Sequence, residues 1–208
     1  MASESTRKKA QSRRHFDRWS RSYESDPSSR RLAALQQAAL DALALESGDR
    51  LLDVGCGSGA AVRHAAPTVE RAIGVDLSPG MIERARGLAK AIPEAEFLEC
   101  DSEALPFEAG TFTAVLCTTA FHHFPAPSRA VNEMARVLAP GGRVVLGDGC
   151  TDRLAARALN RILLIVQPSH VGFYRSHELE GMLTAAGLSH ETTGLLWSGG
   201  YAIVRARK

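Results

Sequence analysis

Leu51-Leu52-Asp53-Val54-Gly55-Cys56-Gly57-Ser58-Gly59 decides how this chain is read: an apolar run that stops abruptly, an acid within it, then three glycines at alternate positions. Leu51, Leu52 and Val54 have the character of a buried parallel strand. The glycines let the backbone turn sharply and come close to a ligand, where a Cβ would collide. From Ser58, placed as an N-cap, the chain is expected to enter a helix through Ala60, Ala61, Val62 and Ala65. Strand, glycine turn and helix together form a ligand cradle at the carboxyl edge of an α/β sheet.

Gly55, Gly57 and Ala60 also satisfy the dinucleotide pattern G-x-G-x-x-G/A, so a nicotinamide or flavin enzyme competes with any other reading. Asp53 weighs against it. A carboxylate beside the turn repels a pyrophosphate, which is held by helix N–H groups. The same carboxylate suits a phosphate-free ligand with an ammonium or sulfonium centre, and S-adenosylmethionine (SAM) is such a ligand. A second strand, Arg71 to Asp76, ends in an acid 21 positions after Gly55, a spacing suited to ribose hydroxyls. The third, Ala95 to Cys100, stops at Asp101. Parallel strands bring Asp53, Asp76 and Asp101 to one acidic rim.

Four blocks in this order, LLDVGCGSG (51–59), GVDLSPGMIERAR (74–86), ECDSEALPFEAGTF (99–112) and RVLAPGGRVVL (136–146), resemble the class I SAM-dependent methyltransferases, particularly the small-molecule branch of quinone-biosynthesis and natural-product enzymes. The resemblance covers roughly residues 16 to 206. It implies a Rossmann-like α/β fold whose seven-stranded, mostly parallel sheet has the order 3-2-1-4-5-7-6, the last strand antiparallel. It implies that Asp53 and the Gly55-Cys56-Gly57-Gly59 loop hold the methionyl part of SAM and that Asp76 holds the ribose. Leu77 and Met81 then flank the adenine, Asp101 accepts from its amine and Ser102 offers a backbone N–H. Thr118, ending the fourth strand, and Tyr23, in a lid segment, complete the cofactor set. Where the family has Phe-Asp, this chain has Phe112-Thr113; that acid is read as structural.

The 208 residues suit one domain, and 45% hydrophobic and 23% charged content is ordinary for a globular protein. No apolar run reaches the roughly 18 residues of a membrane span, and no secretory signal is seen. Cys56, Cys100, Cys117 and Cys150 are scattered without a C-x-x-C, so neither a zinc site nor a disulfide framework is expected, and a reducing cytoplasm is the simplest setting. Residues 1–31 hold nine Lys/Arg against four Asp/Glu, whereas the remainder holds sixteen against nineteen. This divides the chain into a basic N-terminal segment with a lid helix (1–30) and a single SAM-binding domain (31–208). Met1 to about Gln11 is expected to be mobile. Phe16, Trp19 and Tyr23 recur at helical spacing and must cover something apolar.

After the fourth strand, His122 and His123 stand where the methyl group should emerge, and either is a candidate general base. Trp19, Asp148, His170 and Tyr174 are candidate acceptor-binding residues, with 150–178 the substrate-lining segment. The apolar helix from Arg153 to Val166 is expected to wall off a dry pocket together with the aromatic lid. The leading reading is therefore methyl transfer to a small, largely apolar or aromatic molecule by a monomer or homodimer. A cyclase or isomerase of the same fold, and a nucleic-acid or protein methyltransferase guided by the basic head, stand as alternatives; nucleic acid is the less favoured partner.

Overall fold

In the computed structural model, which describes residues 4–208, the apolar runs form one seven-stranded sheet. Its strands are β1 (Arg50–Val54), β2 (Arg71–Asp76), β3 (Ala95–Glu99), β4 (Phe112–Thr118), β5 (Leu138–Gly149), β6 (Ser189–Leu196) and β7 (Tyr201–Arg207). The order is β3-β2-β1-β4-β5-β7-β6, with β7 antiparallel to both neighbours and the other pairs parallel. This is the order expected.

The helices are α1 (Glu4–Trp19), α2 (Pro27–Leu43), α3 (Ala60–Ala65), α4 (Pro79–Leu88), α5 (Pro127–Val137), α6 (Leu154–Val166) and α7 (Ser176–Ala185). The central strands are apolar on both sides because both faces are covered. Leu51, Leu116 and Val145 pack with Leu35, Val62 and Ile82 from α2, α3 and α4. Their neighbours Leu52, Val115 and Val144 point the other way, against Met134 of α5 and Leu179 of α7.

At the edge of the sheet away from the glycine loop, Arg143 is buried against Asp49 and donates to the Leu43 and Ala44 carbonyls. Asp49 also accepts from Thr113 Oγ1 at 2.7 Å, and Thr113 Oγ1 in turn accepts from the Arg50 amide at 2.9 Å. Thr113 thus belongs to a structural polar network, and the departure from Phe-Asp lies remote from the cradle.

Three expectations change. Ser58 does not cap α3; Gly59 takes that position with φ +79°, and a Cβ there would sit 2.3 Å from the Phe97 ring. The basic head is not a mobile leader from Glu4 onward but the helix α1, although Met1 to Ser3 lie outside the described residues. Lys9 bridges Asp101 and Glu103, Arg13 bridges Glu99, and Asp17 accepts from Ser78 Oγ and the Gly80 amide. Finally, α6 does not pack its apolar face inward: no residue of it is fully buried, and Ile165 is 82% exposed.

Removing Asp49 would leave the Arg143 guanidinium buried and without its counter-ion. An Asp49→Ala variant is expected to lose about 3–5 kcal/mol of stability, read as a lower urea midpoint at unchanged m-value.

Candidate functional site

The strand ends β1, β2 and β4, roofed by α1 and the segment after it, enclose a cleft. Its floor is the glycine loop. Gly55 has φ +78°, and a Cβ on it would lie 2.4 Å from that of Ala120, so the turn and the loop after β4 can approach only through glycine. The Gly55 and Cys56 amides both donate to Val75 O (2.8 and 3.0 Å), Gly57 N donates to Asp76 Oδ2 (3.0 Å) and Gly59 N to Cys56 O (2.9 Å). Four of the five loop amides are therefore taken up within the protein. A pyrophosphate needs such amides free.

The carboxylates are arranged for the opposite charge. Asp53 is fully buried beneath the loop, and neither of its oxygens has a hydrogen-bond partner. Burial, then the nearby Asp76, pushes its pKa up to about 7. Asp76 borders the cleft, accepting from Gly57 N and from Ser78 N at 2.9 Å. Burial raises it to about 6 against the pull of those two amides. Asp101 also lines the cleft, with Oδ2 held by Lys9 at 2.6 Å and Oδ1 by the Glu103 amide.

Of the expected cofactor set, Tyr23, Gly55, Cys56, Gly57, Asp76, Leu77, Met81, Asp101, Ser102 and Thr118 line this one cleft. Asp53 lies under it, and Gly59 stands one residue further on as the cap of α3.

The expected histidine pair divides. His123 lines the cleft; its Nδ1 donates to Ser169 O at 2.8 Å, which leaves Nε2 as a lone-pair acceptor, and Phe16 meets its ring edge-on at 4.8 Å. Burial, then neighbouring His122, holds this imidazole well below its usual pKa, so it is neutral at pH 7. His122 stands behind it, ring centroids 4.0 Å apart, with its amide and Nδ1 both bonded to Asp148 at 2.8 and 2.7 Å. Neither His122 nor Asp148 lines the cleft.

The remaining acceptor candidates are likewise placed outside it. Trp19 Nε1 donates to Asp26 at 3.2 Å while its ring packs against Tyr23, and Tyr174 packs on Phe121. His170 is buried on Asn160 Oδ1 at 2.8 Å. No side chain of 150–178 reaches the cleft wall.

The structure adds residues that the sequence reading left out: Lys9, Ser12, Gln36, Thr119 and Phe124 all line the cleft. Gln36 could have been noticed as the amide on an otherwise apolar helix stripe, and its Nε2 reaches Thr118 Oγ1 at 3.4 Å. Thr119 carries no such signal. It is held in the left-handed region (φ +51°) with its amide bonded to Gly147 O at 2.8 Å, the kind of backbone strain that concentrates at functional sites.

Comparison with known proteins fits this geometry. Residues 52–146 match a family described as a methyltransferase domain. The uncharacterized methyltransferase YcgJ of Bacillus subtilis is 34% identical over 146 residues, 68% of this chain and 58% of that protein. The crystal structure of YcgJ superposes with a TM-score of 0.75 at 23% identity, covering 84% of this chain and 98% of that one. A demethylmenaquinone methyltransferase of Clavibacter sepedonicus is 30% identical over 67% of this chain and 58% of its own length. The 27-O-demethylrifamycin SV methyltransferase of Amycolatopsis mediterranei is 39% identical over 51% of this chain and 40% of its own. The chain thus spans about half the length of the curated relatives it matches.

Asp53 gives a pH signature. Unfolded, its carboxyl ionises near 4; folded, near 7. The folded state therefore holds the proton more tightly, and Asp53 costs stability progressively as pH rises through that interval. Asp53→Asn removes this cost. The urea-unfolding free energy of the variant is expected to exceed that of the native protein by a margin that widens from pH 4.5 to pH 7.5.

Proposed function

We propose that this chain, whose residues 52–146 match a methyltransferase-domain family, is a SAM-dependent methyltransferase that transfers a methyl group to a small, largely apolar or aromatic molecule. The observation that carries the cofactor half is the orphaned Asp53 carboxylate beneath a loop whose amides are otherwise engaged. It fits the ammonium of a methionyl group and rejects a diphosphate. Asp76 fits a ribose diol, because each of its oxygens keeps a second lone pair beyond its one amide donor. Leu77 and Met81 form the apolar flank for an adenine, with Ser102 and Asp101 at its rim.

When bound, SAM supplies a methyl group already activated on a sulfonium, so this chain's residues have to align the acceptor and exclude water. Phe16, Phe124, Ala120 and Pro125 give the other end of the cleft an apolar, aromatic wall. His123 is the titratable group in that wall. Its unprotonated Nε2 can accept a hydrogen bond from an acceptor O–H or N–H and orient the lone pair for in-line attack. His122 and Asp148 act as positioning residues through the ring of His123. Tyr174, through Phe121, and Trp19, through Tyr23, brace the walls.

This reading agrees with what the relatives' names describe, a natural-product and a quinone methyltransferase. Guidance by the basic head toward nucleic acid is the weaker reading, because Lys9 and Arg13 are engaged with the chain's own carboxylates.

Isothermal titration is expected to show SAM binding and no heat with NAD. Asp53→Asn should weaken SAM by roughly ten- to a hundredfold, the worth of a hydrogen bond to a charged group. NAD binding in place of SAM would refute the cofactor assignment.

For the acceptor, a panel of small phenols, quinols and macrolides is to be scored by S-adenosylhomocysteine release. His123→Gln should retain SAM affinity and lose at least tenfold in turnover on a substrate found this way. SAM binding with no release across the panel, but release with oligonucleotides or peptides, would overturn the acceptor class.

A further inference from the structure

Nine large hydrophobic side chains are exposed among the described residues, and six of them lie on α6. Leu154, Ile162, Ile165 and Val166 share one side of this helix, with Leu159 at its margin, and Leu154 and Ile165 are 78% and 82% exposed. The polar side faces the protein. Asn160 Oδ1 takes His170 Nε2 at 2.8 Å and the Phe173 amide at 2.9 Å, and Arg157 Nε donates to Thr151 O at 2.9 Å. The helix is amphipathic in the inverted sense: its hydrogen-bonding side is docked and its apolar side is outward. Trp197, 57% exposed, belongs to the same region. The turn it begins meets Arg153, the N-cap of α6, at Gly199, where a Cβ would lie 3.0 Å from Arg153 Nε.

Charge selects what covers this face. Residues 153–168 contain Arg153, Arg157 and Arg161 and no acid, and the adjacent Asp152 is turned away onto Ser176. A second copy of the same face would set arginines against arginines with no carboxylate between them. An anionic lipid surface supplies both missing partners, an apolar layer for the isoleucines and leucines and phosphate charge for the exposed Arg153 and Arg161. Thirteen residues rise only about 20 Å, too short to cross a bilayer. The helix can lie on a membrane and cannot span it.

We propose that α6 is an interfacial helix that seats this protein on an anionic lipid surface, with Trp197 entering the same layer. The loop that follows α6 carries Ser169, whose carbonyl holds His123 in the cleft wall, so the seated face adjoins the acceptor end of the site. The proposal concerns binding alone and stands or falls independently of the methyl acceptor.

The test is co-sedimentation of the full chain with phosphatidylcholine vesicles, with and without phosphatidylglycerol at about a third of the lipid. Binding to the anionic vesicles is expected, falling as salt is raised. Arg161→Gln should weaken it roughly fivefold, the effect of one arginine near such a surface. The Ile162→Glu/Ile165→Glu pair should abolish it; both side chains are exposed, so circular dichroism and the urea midpoint should be unchanged. If that pair is unfolded, Ile165→Ser alone is expected to cut binding severalfold.

Absence of binding to anionic vesicles would overturn the proposal, as would equal binding by the glutamate variant. So would a dimer in sedimentation equilibrium that dissociates in the Ile162→Glu/Ile165→Glu variant, since the occupant would then be a second copy.

Discussion

Two desolvated carboxylates side by side are the constraint around which the rest is arranged. Asp53 and Asp76 stand at the ends of adjacent parallel strands; burial raises the pKa of both, and Asp76 raises that of Asp53 further. The fold relieves only one of them. Asp76 receives two backbone amides, while Asp53 receives none. An arrangement of this kind costs stability while it is empty and becomes favourable when a cation arrives, because the low dielectric that penalises a lone charge also strengthens a paired one. The glycine loop follows from the same constraint. Its amides turn down onto Val75 and Asp76 instead of outward, so the turn that in a dinucleotide site would cradle an anion here closes against the sheet.

The acidic rim also explains the N-terminal helix. α1 has no stripe of fully buried apolar residues; Ser12 is its one buried side chain. What holds it is Lys9 on Asp101 and Glu103, Arg13 on Glu99, Asp17 on Ser78 and Gly80, and Phe16 and Trp19 near its end. The Arg13–Glu99 pair is largely exposed, and exposed pairs are individually weak and screened by salt, whereas the Lys9 pairs are partly buried. From sequence, the spacing of Phe16, Trp19 and Tyr23 marked a helix at the end of this segment, but the stretch from Glu4 to Gln11, held by tertiary charge pairs, has no apolar stripe to betray it.

What could be read directly were features with a local cause. The strands, the left-handed glycines and the acids at strand ends follow from short-range pattern and from the geometry of parallel sheets, whereas the strand order came from the family resemblance. What could not be read depends on which of two similar surfaces is turned inward. α6 shows the right periodicity, yet periodicity says only that a helix has two faces; Asn160 and its bonds to His170 and Phe173 decide which one docks. The same ambiguity affected His122 and His123. Adjacent residues at the end of a strand point in different directions, and only the partners of each, Asp148 for one and the Ser169 carbonyl for the other, show which ring reaches the cleft. The acceptor candidates Trp19, His170 and Tyr174 were chosen as polar or aromatic residues in the right segments, and each proves to have a partner that draws it into the wall behind the site.

Those partners form a connected support. Asp148 at the end of β5 fixes His122 by two bonds, His122 lies tilted against His123 with ring centroids 4.0 Å apart, and His123 is bonded in turn to the segment just beyond α6. The Val171 amide donates back to the His122 carbonyl at 2.8 Å, closing the ring of contacts. A side chain that must present one lone pair to a ligand needs its other nitrogen and both ring faces occupied, or rotation would blur its aim. Here the rotation is blocked by Ser169, Phe16 and His122 together. The consequence reaches outward, because the loop from Gln167 to Val171 is at once the continuation of the exposed helix and the clamp on the imidazole.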